Sequence, residues 1–136
     1  MSKTKLSFKE IIQRISRQRI SKPDLVIGIA RGGITLAAII AYKLKSDLKI
    51  IKIKYRDRYN NPKYKTPKIN LSLKDIDTRV RKVLVVDDVS VTGQTLNLAK
   101  TILKTKVKDI TTLVLKGKAD KVLFPEVKGC IDVDWR

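Results

Sequence analysis

Val83-Leu84-Val85-Val86-Asp87-Asp88-Val89-Ser90-Val91-Thr92-Gly93-Gln94-Thr95 decides how this chain is read. Four apolar residues in succession suit a parallel strand covered on both faces. Asp87 and Asp88 then stand where such a strand ends, which is where open α/β sheets bind ligands. The run Ser90 to Thr95 offers hydroxyls, backbone N–H groups and a helix start, the usual cradle for a phosphate. Two acids beside a phosphate cradle imply a ligand that also carries hydroxyls or metal-bound groups. A phosphorylated sugar has that chemistry.

A second junction of the same kind lies upstream. Leu25-Val26-Ile27-Gly28-Ile29 reads as a short buried strand and Ala30-Arg31-Gly32-Gly33 as the tight loop after it. Paired glycines permit close approach of backbone to a ligand. Arg31 adds a fixed positive charge and a bidentate fork for phosphate oxygens. Arg-Gly-Gly alone could be a plain turn; its force comes from the Asp-Asp loop.

Hydrophobic strand, two acids and a loop ending Thr-Gly-x-Thr together resemble the phosphoribosyl-diphosphate (PRPP) motif of the type I phosphoribosyltransferases. The resemblance covers about residues 23–120 and is nearest to short prokaryotic 6-oxopurine (xanthine, guanine, hypoxanthine) enzymes. It implies transfer of the phosphoribosyl group from PRPP to a purine base, with release of pyrophosphate. It implies that Asp87 and Asp88 hold the ribose hydroxyls and, through water and PRPP, Mg²⁺. Val89, Ser90, Val91, Thr92, Gly93, Gln94 and Thr95 would enclose the 5′-phosphate, and Ala30, Arg31, Gly32 and Gly33 the pyrophosphate. In the family the latter loop commonly holds a non-proline cis peptide, which is expected here at Ala30–Arg31. A flap is expected over about 56–68, with Arg56, Arg58, Lys63 and Lys65 as candidates to reach pyrophosphate and Tyr55 and Tyr59 as anchors. Lys116 matches the lysine that contacts the purine oxygen. Trp135, with Phe124 second, is the candidate aromatic to stack on the base from a reduced hood over about 117–136. The family is commonly oligomeric, so a homodimer is expected by analogy.

One departure bears on base choice. Where 6-oxopurine members usually carry an Asp near the purine N7, this chain has Val91. Valine cannot exchange a proton. Adenine and orotate enzymes often have a small nonacidic residue there, so a phosphoribosyltransferase for adenine or a pyrimidine stays open. So does a non-catalytic regulator that binds PRPP or a nucleotide and contacts nucleic acid.

Outside the two junctions, Ser7-Phe8-Lys9-Glu10 is a capping box that predicts a helix over 8–19. Ile34–Leu44 and Thr95–Lys104 read as helices, Ile50–Tyr55, Arg81–Val86 and Asp109–Lys116 as strands, and 69–73 as a small strand. Alternating strands and helices predict a single-domain, open, mostly parallel α/β sheet flanked by helices over 1–136.

Composition bounds the rest. At 136 residues, one domain is the default. One cysteine and no histidine leave neither a disulfide framework nor a zinc pattern. Residues 1–10 have no signal-peptide pattern, and apolar runs are too short to span a bilayer; a cytoplasmic location is expected. The net charge of +18 invites a nucleic-acid partner. An anionic substrate and a lysine-rich composition explain it as well, and aromatics, at 5%, are few for stacking on single strands. A metal-dependent receiver or phosphatase would use Asp87-Asp88 but would require neither Arg31-Gly32-Gly33 nor Thr92-Gly93-Gln94-Thr95.

Overall fold

The computed structural model of the chain describes residues 3–54, 68–69 and 72–135. In chain order, β1 (Lys3–Leu6) precedes α1 (Phe8–Arg17), β2 (Leu25–Ala30), α2 (Ile34–Leu44) and β3 (Asp47–Lys54). Then come β4 (Lys68–Ile69), a 3₁₀ turn (Leu73–Asp75), β5 (Lys82–Val86), β6 (Val89–Ser90) and α3 (Gln94–Leu103). The last are β7 (Asp109–Val114), β8 (Lys116–Gly117), β9 (Lys121–Val122) and β10 (Cys130–Val133).

The main sheet runs β4-β3-β2-β5-β7-β9, parallel throughout except for β4 on its edge. This is the expected open, mostly parallel architecture. Side chains of successive strand residues enter opposite layers. Val26, Leu84 and Val86 pack with Ile11 of α1 and Leu36 and Ile40 of α2. Ile27, Val83 and Val85 pack with Leu96, Ala99 and Leu103 of α3. Each such side chain is worth about 1.5–3 kcal/mol when buried. A one-residue slip would exchange the two sets, so the register is strongly held.

The capping box forms as read: Glu10 N–H donates to Ser7 Oγ at 3.1 Å, and Ser7 N–H donates back to Glu10 Oε1 at 3.4 Å. The helix ends at Arg17, two residues before the predicted limit. β3 begins at Asp47 rather than Ile50, because pairing with β2 is a backbone matter and recruits Asp47, Leu48 and Lys49 regardless of polarity. The small strand expected at 69–73 is Lys68–Ile69, followed by the 3₁₀ turn. Sequence patterning missed β1, which pairs in parallel with β10 and ties the two ends of the described chain together. No helix among the described residues is long and apolar enough to cross a membrane.

Candidate active site

The site grows from the carboxyl end of β5. Asp87 N–H donates to Leu113 O at 3.1 Å, prolonging the β5–β7 contact past the strand. Asp88 N–H donates to Asp87 Oδ1 at 2.8 Å, and Val89 N–H to Asp88 Oδ1 at 2.7 Å. The carboxylates thus shape the turn that carries them. Asp88 O accepts from Leu115 N–H at 2.9 Å, after which β6 pairs with β8. Asp88 is only 4% exposed.

The two loops singled out in the sequence meet here. A β-carbon on Gly32 would lie 2.5 Å from the carboxylate atoms of Asp88. One on Gly33 would lie 2.5 Å from Val86 O and 2.9 Å from Asp87 Cα. Only glycine lets the backbone after β2 reach the acids after β5. The Ala30–Arg31 peptide is cis, as expected, and Arg31 is exposed beside this contact.

On the other side of the acids a cavity of about 200 Å³ is lined by Asp87 and the run Val89–Thr95. Gly93 caps α3 with φ +82°, a left-handed conformation that glycine adopts freely, and brings no capping side chain. The positive end of the helix dipole therefore faces this cavity, where an anion is favoured. Gln94 N–H donates to Thr92 Oγ1 at 3.2 Å. The cavity brings together Asp87 and the run Val89 to Thr95 named from the sequence, but not Asp88 or the Ala30–Gly33 loop.

A wider cavity, about 500 Å³, adjoins it and is bounded by three short segments: Val89–Val91, Lys116–Lys118 and Gly129–Ile131. Lys116 is one of its lining residues. Val91 is 78% exposed at this wall. Lys118, Gly129, Cys130 and Ile131 were not singled out in the sequence; the alternation of Ile131 and Val133 with polar neighbours was the available signal for a strand there.

The expected aromatic stack needs correction. Trp135 does not line the cavity; its ring packs edge-on against Phe8, with centroids 5.6 Å apart, and its buried Nε1 has no hydrogen-bond partner among the described residues. Phe124 is 2% exposed and lies under the Arg14 guanidinium, 4.2 Å from its ring centroid. Both rings are claimed by α1. Arg56, with the other flap candidates Tyr55, Arg58, Tyr59, Lys63 and Lys65, lies outside the described residues.

A polar anchor holds the 116–120 segment. Burial opposes ionisation of Asp120, but hydrogen bonds from Thr112 N–H (3.0 Å) and Thr112 Oγ1 (3.1 Å), with Lys100 at 3.5 Å, outweigh it. The carboxyl is held below its ordinary range.

Among the described residues no three His, Cys, Asp or Glu side chains gather as a metal cage. Two adjacent carboxylates offering hard oxygen donors fit Mg²⁺ nonetheless, since that ion keeps its waters and binds through few carboxylates and substrate phosphates.

A family model, "Phosphoribosyl transferase domain", matches residues 3–135. The chain is similar to an orotate phosphoribosyltransferase of Saccharolobus solfataricus: 31% identity over 93 residues, 68% of this chain and 43% of that protein. It is also similar to "Bifunctional protein PyrR" of Pediococcus pentosaceus: 33% over 107 residues, 69% of this chain and 60% of the other. It thus spans about half the length of these two relatives. The crystal structure of a purine phosphoribosyltransferase from Pyrococcus horikoshii superposes with a TM-score of 0.80 at 28% identity, covering 100% of this chain and 95% of that one. With its paired acids, glycine contact and helix-capped cavity in place, the chain belongs to the phosphoribosyl transferase domain family.

Proposed function

We propose that the protein is a phosphoribosyltransferase that joins a nucleobase, preferably a 6-oxopurine, to the ribose of PRPP. The observation that supports this best is the close approach of Gly32 to Asp88, between the loop we read as receiving pyrophosphate and the acids we read as holding ribose. A base nitrogen attacks C1, the C1–O bond to pyrophosphate breaks, and the nitrogen's proton passes to solvent. No covalent nucleophile is required; positioning and fixed charge supply the catalysis.

Asp87 and Asp88 orient the ribose hydroxyls. Ser90 to Thr95 hold the 5′-phosphate, and Ala30 to Gly33 with Arg31 receive the pyrophosphate. Lys116 donates to an oxygen on the base. Mg²⁺, bound with PRPP and reached by Asp87 and Asp88 through water, would screen the pyrophosphate charge. Arg56 and its neighbours would close from the flap. A cytoplasmic homodimer is the setting we infer from the family resemblance.

The purine preference is supported by the whole-chain likeness to the Pyrococcus enzyme and by Lys116 at the cavity wall. A second reading, transfer to orotate, is favoured by the Saccharolobus relative and by Val91, which brings no acid to that wall. Pyrophosphate release from PRPP and Mg²⁺, measured separately with guanine, hypoxanthine, xanthine, adenine, uracil and orotate, decides between them. Asp88→Asn is expected to cut turnover by about 100-fold or more while leaving thermal stability nearly unchanged. Wild-type turnover in that variant would sink the assignment. PRPP binding without release for any base would identify a non-catalytic regulator.

A further inference from the structure

The acids and cradles described above occupy the carboxyl end of the sheet, yet nine of the 31 Lys and Arg residues cluster at the other end. The stretches 18–24, 45–47, 77–82 and 104–109, which lead into β2, β3, β5 and β7, hold nine Lys and Arg against four Asp. They form one surface. Asp24 N–H donates to Lys82 O at 2.9 Å, Asp109 N–H to Arg81 O at 3.3 Å, and Ser46 Oγ to Pro23 O at 2.7 Å. A recess of about 150 Å³ opens in it, walled by Ser21, Lys82, Asp109 and Lys121 among others.

Three of the four acids are engaged internally. Asp24 accepts from the N–H groups of Arg81 and Lys82 at 2.9 and 3.0 Å. Asp77 is clamped by Arg79 at 2.7 Å, and Asp109 lies 3.7 Å from Lys82. Lys106 is also engaged, donating to Leu73 O and Ile76 O. Arg19, Lys22, Lys45, Arg81, Lys104 and Lys108 are exposed, with no carboxylate within 4 Å among the described residues. Lys45 and Lys104 are helix C-caps, where the dipole welcomes a cation. Arg19, Lys22, Arg81 and Lys108 have no such role.

Nor do these cations serve the substrate. The five residues of β5 separate the two ends by about 17 Å, about twice the screening length of roughly 8 Å at physiological salt. The four stretches also contain no Phe, Tyr or Trp, so they offer no platform for unpaired bases.

We propose that the amino end of the sheet is a docking face for the phosphate backbone of a nucleic-acid duplex. Binding there is independent of sequence and leaves the opposite end open to small ligands.

The test is fluorescence anisotropy with a duplex RNA, a duplex DNA and a single strand of equal length, over a salt series. Duplex binding is expected to fall with a log–log salt slope near −4, at about 0.9 per phosphate contacted. The triple variant Lys22→Glu, Arg81→Glu, Lys108→Glu is expected to lose affinity about tenfold or more. The same positions changed to Gln give a smaller loss without added repulsion, and serve if the reversed variant fails to fold. Pyrophosphate release should be unaltered, and PRPP should not compete with the duplex. Unchanged affinity in both variant sets, competition by PRPP, preference for the single strand, or equal capture on phosphatidylserine vesicles would each overturn the proposal. None of these outcomes bears on turnover, which is read separately.

Discussion

The two ends of the sheet are built on opposite plans. At the carboxyl end, backbone is packed against backbone: glycines abut Asp88, Val86 and Asp87, and one acid is almost wholly removed from solvent. At the amino end, long cationic side chains stand in water, and the carboxylates serve to fasten loops. Parallel topology accounts for this division. Every β-to-α junction of the main parallel strands falls at the carboxyl end, where tight turns bring short residues together. Every α-to-β junction falls at the other end, where helix C-termini tolerate lysine and arginine. Close packing makes the first end selective for shape; open charge makes the second responsive to salt.

That contrast can be broken by substitution. Gly32→Ala should have the largest effect, since its β-carbon would enter the Asp88 carboxylate. A loss of about 1–3 kcal/mol in unfolding free energy and of most PRPP affinity is expected, by denaturant titration and calorimetry. Normal PRPP binding in this variant would mean that the two loops can separate cheaply.

A smaller effect is expected at the amino end. Asp24→Ala removes the acceptor of two backbone N–H groups, so the melting temperature should drop by a few degrees while turnover with PRPP stays intact. Lost activity there would show that the ends are coupled.

The smallest effect concerns Glu126, which binds Arg14 bidentately at 2.7 and 2.9 Å and is held at a pKa of about 2 against an ordinary 4.5. Because the folded value is depressed, its contribution is present above about 4.5 and disappears as pH falls through about 2. Glu126→Gln should therefore lower the melting temperature slightly at neutral pH, and the difference from wild type should vanish near pH 2. Glu126 is exposed, so screening keeps the effect small.

Legibility followed the range of the interactions. The segment from Val83 to Thr95 could be read because its strand, acids, loop and helix start are all written locally. Ala30 to Gly33 was readable as a tight loop for the same reason; its cis peptide was expected from the family resemblance alone. β1 was not, because Lys3-Thr4-Lys5-Leu6 has one core side chain and finds its partner at residues 130–133. Trp135 and Phe124 were assigned to the base for a similar reason: an aromatic near the end of a chain does not announce which surface will cover it. Here Phe8 and Arg14 of α1 do so. Lys118 joins the cavity wall only beside the two-residue pairing of β6 with β8, which is too short to leave a periodicity to detect.

The pairing of β1 with β10 has a practical result for anyone editing this protein. Cys130 and Ile131, which help to wall the wider cavity, sit directly beside Lys3 and Thr4. The first strand acts as a splint for that wall. An amino-terminal deletion or a bulky fusion, though remote in sequence from Asp87 and Arg31, would loosen the compartment beside Lys116 before it disturbed the cavity at Val89 to Thr95.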